Sequence, residues 1–244
     1  MGALDGKTII VTGASSGFGE AIAIACCGEG ANVSLVARRR ELLESVAADA
    51  RSLQGGGRAL VCPADVSDDE QIHAVLEQTR AAFGPVDVLV NNAGYNVTER
   101  SISDTSAEQW RDLLAVNLTS AFIFTKAVLP EMKARGDGLI INLASRAAMY
   151  PSLLAGVGYS TSKIGMEALN MVTNEEGNPH GVRACLFNPG AGNTPIMERR
   201  PIVPSAERKA MMIQSEDIAA AVVFLASLPP HVHIDVLSMM PTKS

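Results

Sequence analysis

The stretch Thr12-Gly13-Ala14-Ser15-Ser16-Gly17-Phe18-Gly19 decides the fold, because it joins a short β-branched run at 7–12 to a helical pattern at 17–28. Gly13 permits a sharp turn, and Gly17 and Gly19 let the backbone approach a phosphate and the neighbouring strand. The helix that follows supplies unpaired N–H groups and the positive end of its dipole. This setting favours a phosphate-binding turn over an ordinary glycine turn.

The same alternation of strand and helix continues along the chain without a linker or a low-complexity segment. Strands are predicted at 7–12, 32–37, 58–62, 86–91, 139–143, 182–187 and 233–237, and helices at 17–28, 41–53, 68–83, 107–135, 159–174 and 216–227. We expect Pro130 to kink the long helix. The pattern predicts an α/β single-domain Rossmann fold over 1–244, a doubly wound seven-stranded parallel sheet in the order 3-2-1-4-5-6-7 with helices on both faces.

Composition excludes several classes of partner. The chain is 47% hydrophobic and 4% aromatic with a net charge of -6, and it contains no basic run with interleaved aromatic residues, so no nucleic acid is expected. No apolar run approaches the roughly 20 residues of a membrane span, so we expect no membrane partner and a cytoplasmic location. Cys26, Cys27, Cys62 and Cys185 lack metal-ligand spacing, and we expect no metal site.

A second motif, Tyr159-Ser160-Thr161-Ser162-Lys163, carries the chemistry. Residues four apart face the same way on a helix, so the Lys163 ammonium is expected beside the Tyr159 phenol. Such a cation favours the phenolate and should move the tyrosine pKa from about 10 toward neutrality. Taken alone, the spacing also fits a half-buried tyrosine and an exposed lysine.

The residues after the second predicted strand bear on the cofactor. An acidic residue there would bind a ribose 2′-hydroxyl, but Ala37 is followed by Arg38, Arg39 and Arg40. Guanidinium groups suit a 2′-phosphate, so the arrangement favours NADP(H) over NAD(H). The alternative is a solvated basic helix start, with Arg40 at least pointing to water.

Together, these motifs make the chain resemble the short-chain dehydrogenase/reductase family, over essentially its full length. Further matches are Asp65-Val66, Asn91-Asn92-Ala93-Gly94, Asn117, Ser145, and Pro189-Gly190 with Thr194. The resemblance implies a catalytic tetrad of Asn117, Ser145, Tyr159 and Lys163. It implies cofactor contacts from Gly13, Ser15, Ser16, Gly17, Phe18, Gly19, Arg38, Arg39, Asp65, Val66, Asn91, Ala93, Gly94, Tyr159, Lys163, Pro189, Gly190, Gly192 and Thr194.

In that family Tyr159 would act as general acid in carbonyl reduction and as base in alcohol oxidation. The implied activity is NADP(H)-dependent hydride transfer with a small carbonyl or secondary alcohol. The Gly17-Phe18-Gly19 variant and the stretch 228–241 resemble the NADP-dependent short-chain alcohol and 3-hydroxy acid branch. Gly192 departs from the family, which usually has a branched apolar residue there, so less surface is expected against the nicotinamide ring.

The sequence does not identify the substrate, but it suggests which residues line the substrate pocket. Pocket candidates are Tyr95, Asn96, Arg146, Met149, Tyr150, Leu153, Ile196 and Met197, with a substrate loop at about 191–215. Arg146 is either a carboxylate ligand or a surface arginine. By analogy a homotetramer, or a homodimer, is expected. Two other functions stay possible on the same fold: a non-catalytic NADP-binding regulatory protein, and an epimerase or dehydratase.

Overall fold

The computed structural model describes residues 2–53 and 55–242; Met1, Gln54, Lys243 and Ser244, which belong to the expected domain 1–244, lie outside the described residues. The strands are β1 (Thr8–Thr12), β2 (Asn32–Ala37), β3 (Arg58–Pro63), β4 (Val88–Asn91), β5 (Gly138–Leu143), β6 (Val182–Pro189) and β7 (Val236–Met239). The helices are α1 (Gly17–Gly28), α2 (Arg40–Ser52), α3 (Asp69–Phe83), α4 (Ala107–Leu114), α5 (Ser120–Arg135), α6 (Arg146–Met149), α7 (Val157–Gly177), α8 (Ala206–Ala210) and α9 (Ser215–Ser227).

The seven strands form one sheet in the order β3-β2-β1-β4-β5-β6-β7, and every pairing is parallel. The predicted order and orientation are therefore confirmed. Alternate side chains of each strand enter opposite layers, as the pleat requires. In β1, Ile9 packs with the residues of α1, α2 and α9, whereas Ile10 packs with those of α3 and α5. Helices thus cover both faces, and the strands end together at one edge of the sheet.

The long helix predicted at 107–135 departs from α geometry at Ala115–Thr119, which is π-helical, and continues as an α-helix through Pro130. The prediction placed the irregularity at Pro130, where the proline ring removes only one backbone donor. A π segment inserts an extra residue into the turn, and such segments are frequent at functional sites. This one contains Asn117, whose side chain is buried.

Joined across that segment, Ala107–Arg135 is long and apolar enough to cross a membrane by length and composition, contrary to the expectation from the sequence. Its apolar side chains are largely used in the fold. Phe124, Val128 and Met132 are fully buried against β4, β5 and β6 in one of the two core layers. Burial against the sheet accounts for the apolar character of this helix.

The last strand is displaced from its predicted position. The sequence predicted a strand at 233–237, but β7 covers Val236–Met239 and pairs with the end of β6. His233 precedes the strand, is exposed, and its Nε2 lies 3.1 Å from the Ala184 carbonyl oxygen. The four cysteines are buried and free, and burial raises the pKa of Cys26 to about 12.

Candidate active site

The glycine turn follows β1 at the carboxyl edge of the sheet, where open α/β folds bind their ligands. Gly13 (φ 69°) and Gly17 (φ 60°) adopt the left-handed conformation that glycine alone tolerates well. A Cβ on Gly19 would lie 2.3 Å from the Gly13 carbonyl oxygen, so the turn closes only with glycine there. A Cβ on Gly17 would lie 3.2 Å from Thr194, which brings the segment after β6 against the turn.

Asn92 holds this turn in place, a role that the sequence analysis did not assign. Its Nδ2 donates to the Thr12 carbonyl at 2.7 Å. In return the Thr12 hydroxyl accepts from the backbone N–H groups of Asn92 and Ala93, at 3.0 and 2.9 Å. The neighbouring Asn91 points into the sheet instead, and donates to Asn142 at 2.9 Å. Any contact of Asn91 with a cofactor is thus left to its backbone.

Two arginines lie beside the glycine turn. Arg39 Nη2 lies 3.2 Å from the Ser15 hydroxyl and 3.4 Å from that of Ser16. Arg38 is largely exposed, and its Nη1 lies 4.0 Å from an Asp65 carboxylate oxygen. Ser67 donates to Asp65, and hydrogen bonding together with the Arg38 charge outweighs partial burial, so the pKa of Asp65 is lowered. Free guanidinium donors therefore remain available next to the turn.

Tyr159 and Lys163 lie one turn apart on α7, as the spacing predicted. Lys163 is 3% exposed, and its Nζ donates to the Leu143 carbonyl at the end of β5, at 2.7 Å. Burial lowers the Lys163 pKa to about 7. Its Nζ lies 5.7 Å from the centroid of the Tyr159 ring. The amine thus sits beside the ring, with a single oxygen acceptor among the described residues.

The sequence predicted that Lys163 lowers the pKa of the Tyr159 phenol, and this prediction is wrong. The pKa of Tyr159 is raised above 10, because burial penalises the phenolate more than its neighbours stabilise it. The groups that lower the Tyr159 pKa are the Ser145 hydroxyl and the positive charges of Arg100 and Arg200. Lys163 is not among the groups that shift the Tyr159 pKa, whereas the two arginines, which were not expected at the site, are.

Asn117 connects the surrounding loops to α7. Its Oδ1 accepts from the Tyr95 backbone N–H at 2.9 Å, and its Nδ2 donates to the Tyr95 carbonyl at 3.0 Å and to the Ser162 hydroxyl at 3.2 Å. Ser162 donates in turn to the Tyr159 carbonyl at 2.7 Å. A Cβ on Gly94 would lie 3.4 Å from Asn117 and 3.6 Å from Lys163 Nζ. The motif after β4 therefore meets the lysine and the asparagine.

Gly192 has a steric partner that explains its departure from the family pattern. A Cβ at this position would lie 2.2 Å from Cζ of Phe18, so a branched side chain cannot coexist with the phenyl ring in its present position. Phe18 belongs to the first turn of α1 and also packs on the core. The aromatic ring thus occupies the volume that a side chain at Gly192 would fill.

The residues predicted to line the substrate pocket differ in how far their side chains are buried. Met149, Tyr150 and Leu153 are exposed, which leaves the region after Ser145 open. Asn96 is buried and donates to the Ala155 carbonyl at 2.8 Å, so it is engaged within the protein. Of the remaining candidates, Tyr95 and Ile196 are half-buried and Met197 is buried.

Arg146 is exposed, with its guanidinium carbon 5.4 Å from the Tyr150 ring. The expected substrate loop contains a 3-10 helix, Pro195–Arg199, and then α8. Among the described residues no three His, Cys, Asp or Glu side chains group as a metal site.

The parallel sheet, the glycine turn at its carboxyl edge and the Tyr–Lys pair define a nucleotide-binding α/β protein of the dehydrogenase type. The chain belongs to the short-chain dehydrogenase family, whose model matches residues 7–202, and it is an oxidoreductase. It is similar to the D-threitol dehydrogenase of Mycolicibacterium smegmatis, 35% identical over 230 residues that cover 92% of this chain and 87% of that protein.

Solved structures agree on the fold. A metagenomic short-chain oxidoreductase in complex with NADP is 33% identical with a TM-score of 0.84, covering 98% of this chain and 99% of that one. A 3-ketoacyl-(acyl-carrier-protein) reductase from Brucella melitensis, complexed with NADH, is 29% identical with a TM-score of 0.87 and the same two coverages. Both dinucleotides therefore occur among similar structures, and the choice in this chain depends on its own residues.

Proposed function

We propose that the protein is an NADP(H)-dependent oxidoreductase that reduces a small ketone or aldehyde, or oxidises the corresponding alcohol, with Tyr159 as general acid and base. The observation that carries the proposal is the convergence of Tyr159, Lys163 and Ser145 at the sheet edge that also holds the glycine turn. The named relatives, a dehydrogenase and an NADP-bound oxidoreductase, are consistent with it.

The residues at the edge fit a nicotinamide dinucleotide phosphate. Gly13, Gly17 and Gly19 hold a tight turn that side chains at these positions would disrupt, and the turn leads into the N-terminus of α1, whose unpaired N–H groups suit a pyrophosphate. Arg38 and Arg39 present guanidinium donors where a ribose 2′-phosphate would bind. The remaining cofactor residues of the family pattern, Val66, Ala93, Pro189, Gly190 and Thr194, follow β3, β4 and β6 at the same edge or end those strands.

When bound, the cofactor supplies or receives the hydride. In reduction, the Ser145 hydroxyl donates a hydrogen bond to the substrate oxygen as negative charge develops there. The Tyr159 phenol then gives its proton to that oxygen, and takes it back in the reverse direction. Lys163 is buried and held by Leu143, and its other donors can bind ribose hydroxyls. Asn117 keeps Tyr95 and Ser162 in place around this pair.

The test is consumption of NADPH over a panel of ketones, aldehydes and oxo acids, with Tyr159→Phe as the matched variant. The proposal expects turnover with at least one carbonyl, and loss of turnover in the variant while NADPH binding stays measurable. A regulatory protein would bind NADPH and reduce nothing. An epimerase or dehydratase would recycle its cofactor and show no net oxidation of NADPH.

We further propose a homotetramer or homodimer that covers apolar side chains on two adjacent helices. Phe122 of α5 and Ile164, Met171 and Val172 of α7 are exposed by 41–62%. A second copy of the chain would remove this surface from water. Light scattering after size-exclusion chromatography measures the mass directly, and a monomer at micromolar concentration would contradict the assembly without affecting the proposed reaction.

A further inference from the structure

Three arginines, Arg100, Arg199 and Arg200, form a group beside the catalytic tyrosine that we call the arginine cluster. Arg100 comes from the loop after β4 and is 7% exposed. The other two lie at the end of the 3-10 helix after β6, about a hundred residues later in the chain. None of the three has a carboxylate oxygen within 4.0 Å among residues 2–53 and 55–242.

Arg100 fixes the position of the cluster. Its Nη2 donates to the Arg199 carbonyl at 2.7 Å, and its Nη1 donates to the Ala155 carbonyl at 3.1 Å. The Arg100 carbonyl accepts from the Val157 N–H, the first residue of α7, at 3.1 Å. A Cβ on Gly156 would lie 2.9 Å from Arg100 Cδ. Arg100 therefore ties the substrate loop to the start of the helix that carries Tyr159.

This tie places the backbone of Arg200 directly beside a buried guanidinium, since the Arg199 carbonyl belongs to the peptide bond that joins Arg199 to Arg200. The Arg199 guanidinium lies 5.9 Å from the Tyr95 ring, and Tyr95 is clamped by Asn117. The side chain of Arg200 is half-buried and makes no hydrogen bond or ion pair with another described residue. The side chain of Arg199 likewise makes no hydrogen bond or ion pair with another described residue, but it is exposed. Arg200 therefore combines a full set of donors with partial burial.

Among the described residues, the charged groups that shift the Tyr159 pKa are all positive. Arg100 and Arg200 both lower the pKa of its phenol, after the larger opposite effect of burial, and no carboxylate acts on it. The pKa of Arg100 is itself lowered, first by burial and then by the charge of Arg200. The charge of Glu99 opposes this shift at Arg100, and Arg208 adds to the positive charge around Arg200. Partly buried like charges are unfavourable unless a counter-ion pairs with them directly, and no carboxylate of the described residues lies within 4.0 Å of Arg100 or Arg200. An anion bound between them would remove the repulsion.

We propose that the substrate of this enzyme carries an anionic group, a carboxylate or a phosphate ester, which binds the guanidinium of Arg200 within the arginine cluster next to Tyr159. The inference rests on the proposed reductase function and names its substrate class. The sequence allowed Arg146 to be a carboxylate ligand. We assign the anion-binding role to Arg200 instead, because Arg146 stacks on Tyr150 at the surface. The inference also separates this chain from the D-threitol dehydrogenase, whose named substrate is uncharged.

The experiment compares matched probes that differ in charge: acetoacetate against methyl acetoacetate, and dihydroxyacetone phosphate against dihydroxyacetone. Binding of each to the NADP+-saturated protein is measured by calorimetry, and kcat/KM is measured with NADPH wherever turnover occurs. The proposal expects at least one anion to exceed its neutral partner by about ten-fold or more, as an ionised hydrogen-bond partner provides. The pair that shows the preference distinguishes carboxylate from phosphate ester.

Arg200→Gln should abolish the preference, measured as the ratio of the anionic to the neutral probe within the same variant. Arg51→Gln, which removes the same charge from an exposed site on α2, should keep it. Neutral probes that bind as well as the anions, no binding of either anion, or a preference that survives Arg200→Gln and disappears in Arg146→Gln would each overturn the assignment. Reduction of neutral carbonyls without anion preference would leave the reductase function standing.

Discussion

Replacement of Lys163 by Met is expected to stabilise the fold while it removes the amine that we propose binds the cofactor. The lysine is 3% exposed and has one oxygen acceptor, the Leu143 carbonyl. A folded protein retains such a group only against an unfavourable desolvation free energy. The methionine keeps the apolar stem and volume but carries no charge, so the substitution isolates the contribution of the amine.

The magnitude follows from the lysine pKa, which burial lowers from 10.5 to about 7. Between these values the unfolded chain keeps its proton and the folded protein loses it, so the free energy of unfolding rises with pH. At about 1.4 kcal/mol per pH unit, the penalty falls from about 5 kcal/mol near pH 6 to about 2 kcal/mol near pH 9. Loss of the hydrogen bond to Leu143 offsets about 1–3 kcal/mol of the gain in the variant.

Urea unfolding at these two pH values, without cofactor and at matched protein concentration, measures the difference between wild type and Lys163→Met. The stability advantage of the variant should shrink by about 3 kcal/mol from the lower to the higher pH. Lys126→Met, at an exposed position on α5, is the control and should show no such change. A difference between the two proteins that does not vary with pH would refute the reasoning, because Lys163 would then titrate at its ordinary value.

Two further substitutions test the cofactor site. Arg38→Asp should weaken NADPH binding far more than NADH binding, since a carboxylate repels the 2′-phosphate. The control is Arg40→Ala on the solvent side, which should affect neither cofactor. Equal losses for both cofactors in Arg38→Asp would contradict the assignment. Gly192→Val should lower both stability, by about 1–3 kcal/mol, and NADPH affinity, because its side chain collides with Phe18. Phe18→Ala combined with Gly192→Val should recover part of both losses, and strictly additive effects would show that the two positions are independent.

The features that the sequence predicted are those fixed by local pattern. Alternating apolar segments and glycine positions determine the order of strands, the parallel sheet and the turn after β1, and all of these are confirmed. The i, i+4 spacing alone places Tyr159 and Lys163 on one face of α7. These features depend on neighbours within a few residues, which is the range over which a sequence can be interpreted directly.

The features that were missed depend on tertiary packing. The long helix is irregular at Ala115–Thr119, where Asn117 has partners in Tyr95 and Ser162, and no helical pattern in the sequence reveals these contacts. The Tyr159 pKa is raised because burial outweighs the opposite effects of Ser145 and of two arginines far away in the chain.

The role of Gly192 depends on a residue distant in the sequence. The sequence predicted that glycine at this position reduces the apolar surface. Phe18, which lies in another segment of the chain, occupies the volume that a side chain at position 192 would fill. A departure at one position could be interpreted only once its neighbour in space was known, although both residues stood out in the sequence.

The most direct test of the central claim follows the hydride itself. NADPH that carries deuterium at both C4 positions is incubated with the protein and the best carbonyl from the panel, and the alcohol product is analysed by mass spectrometry. The account predicts one deuterium on the former carbonyl carbon, formed by the wild type and not by Tyr159→Phe, although both bind NADPH. Product without deuterium, or equal labelling by the Tyr159→Phe variant, would contradict hydride transfer with Tyr159 as the proton donor.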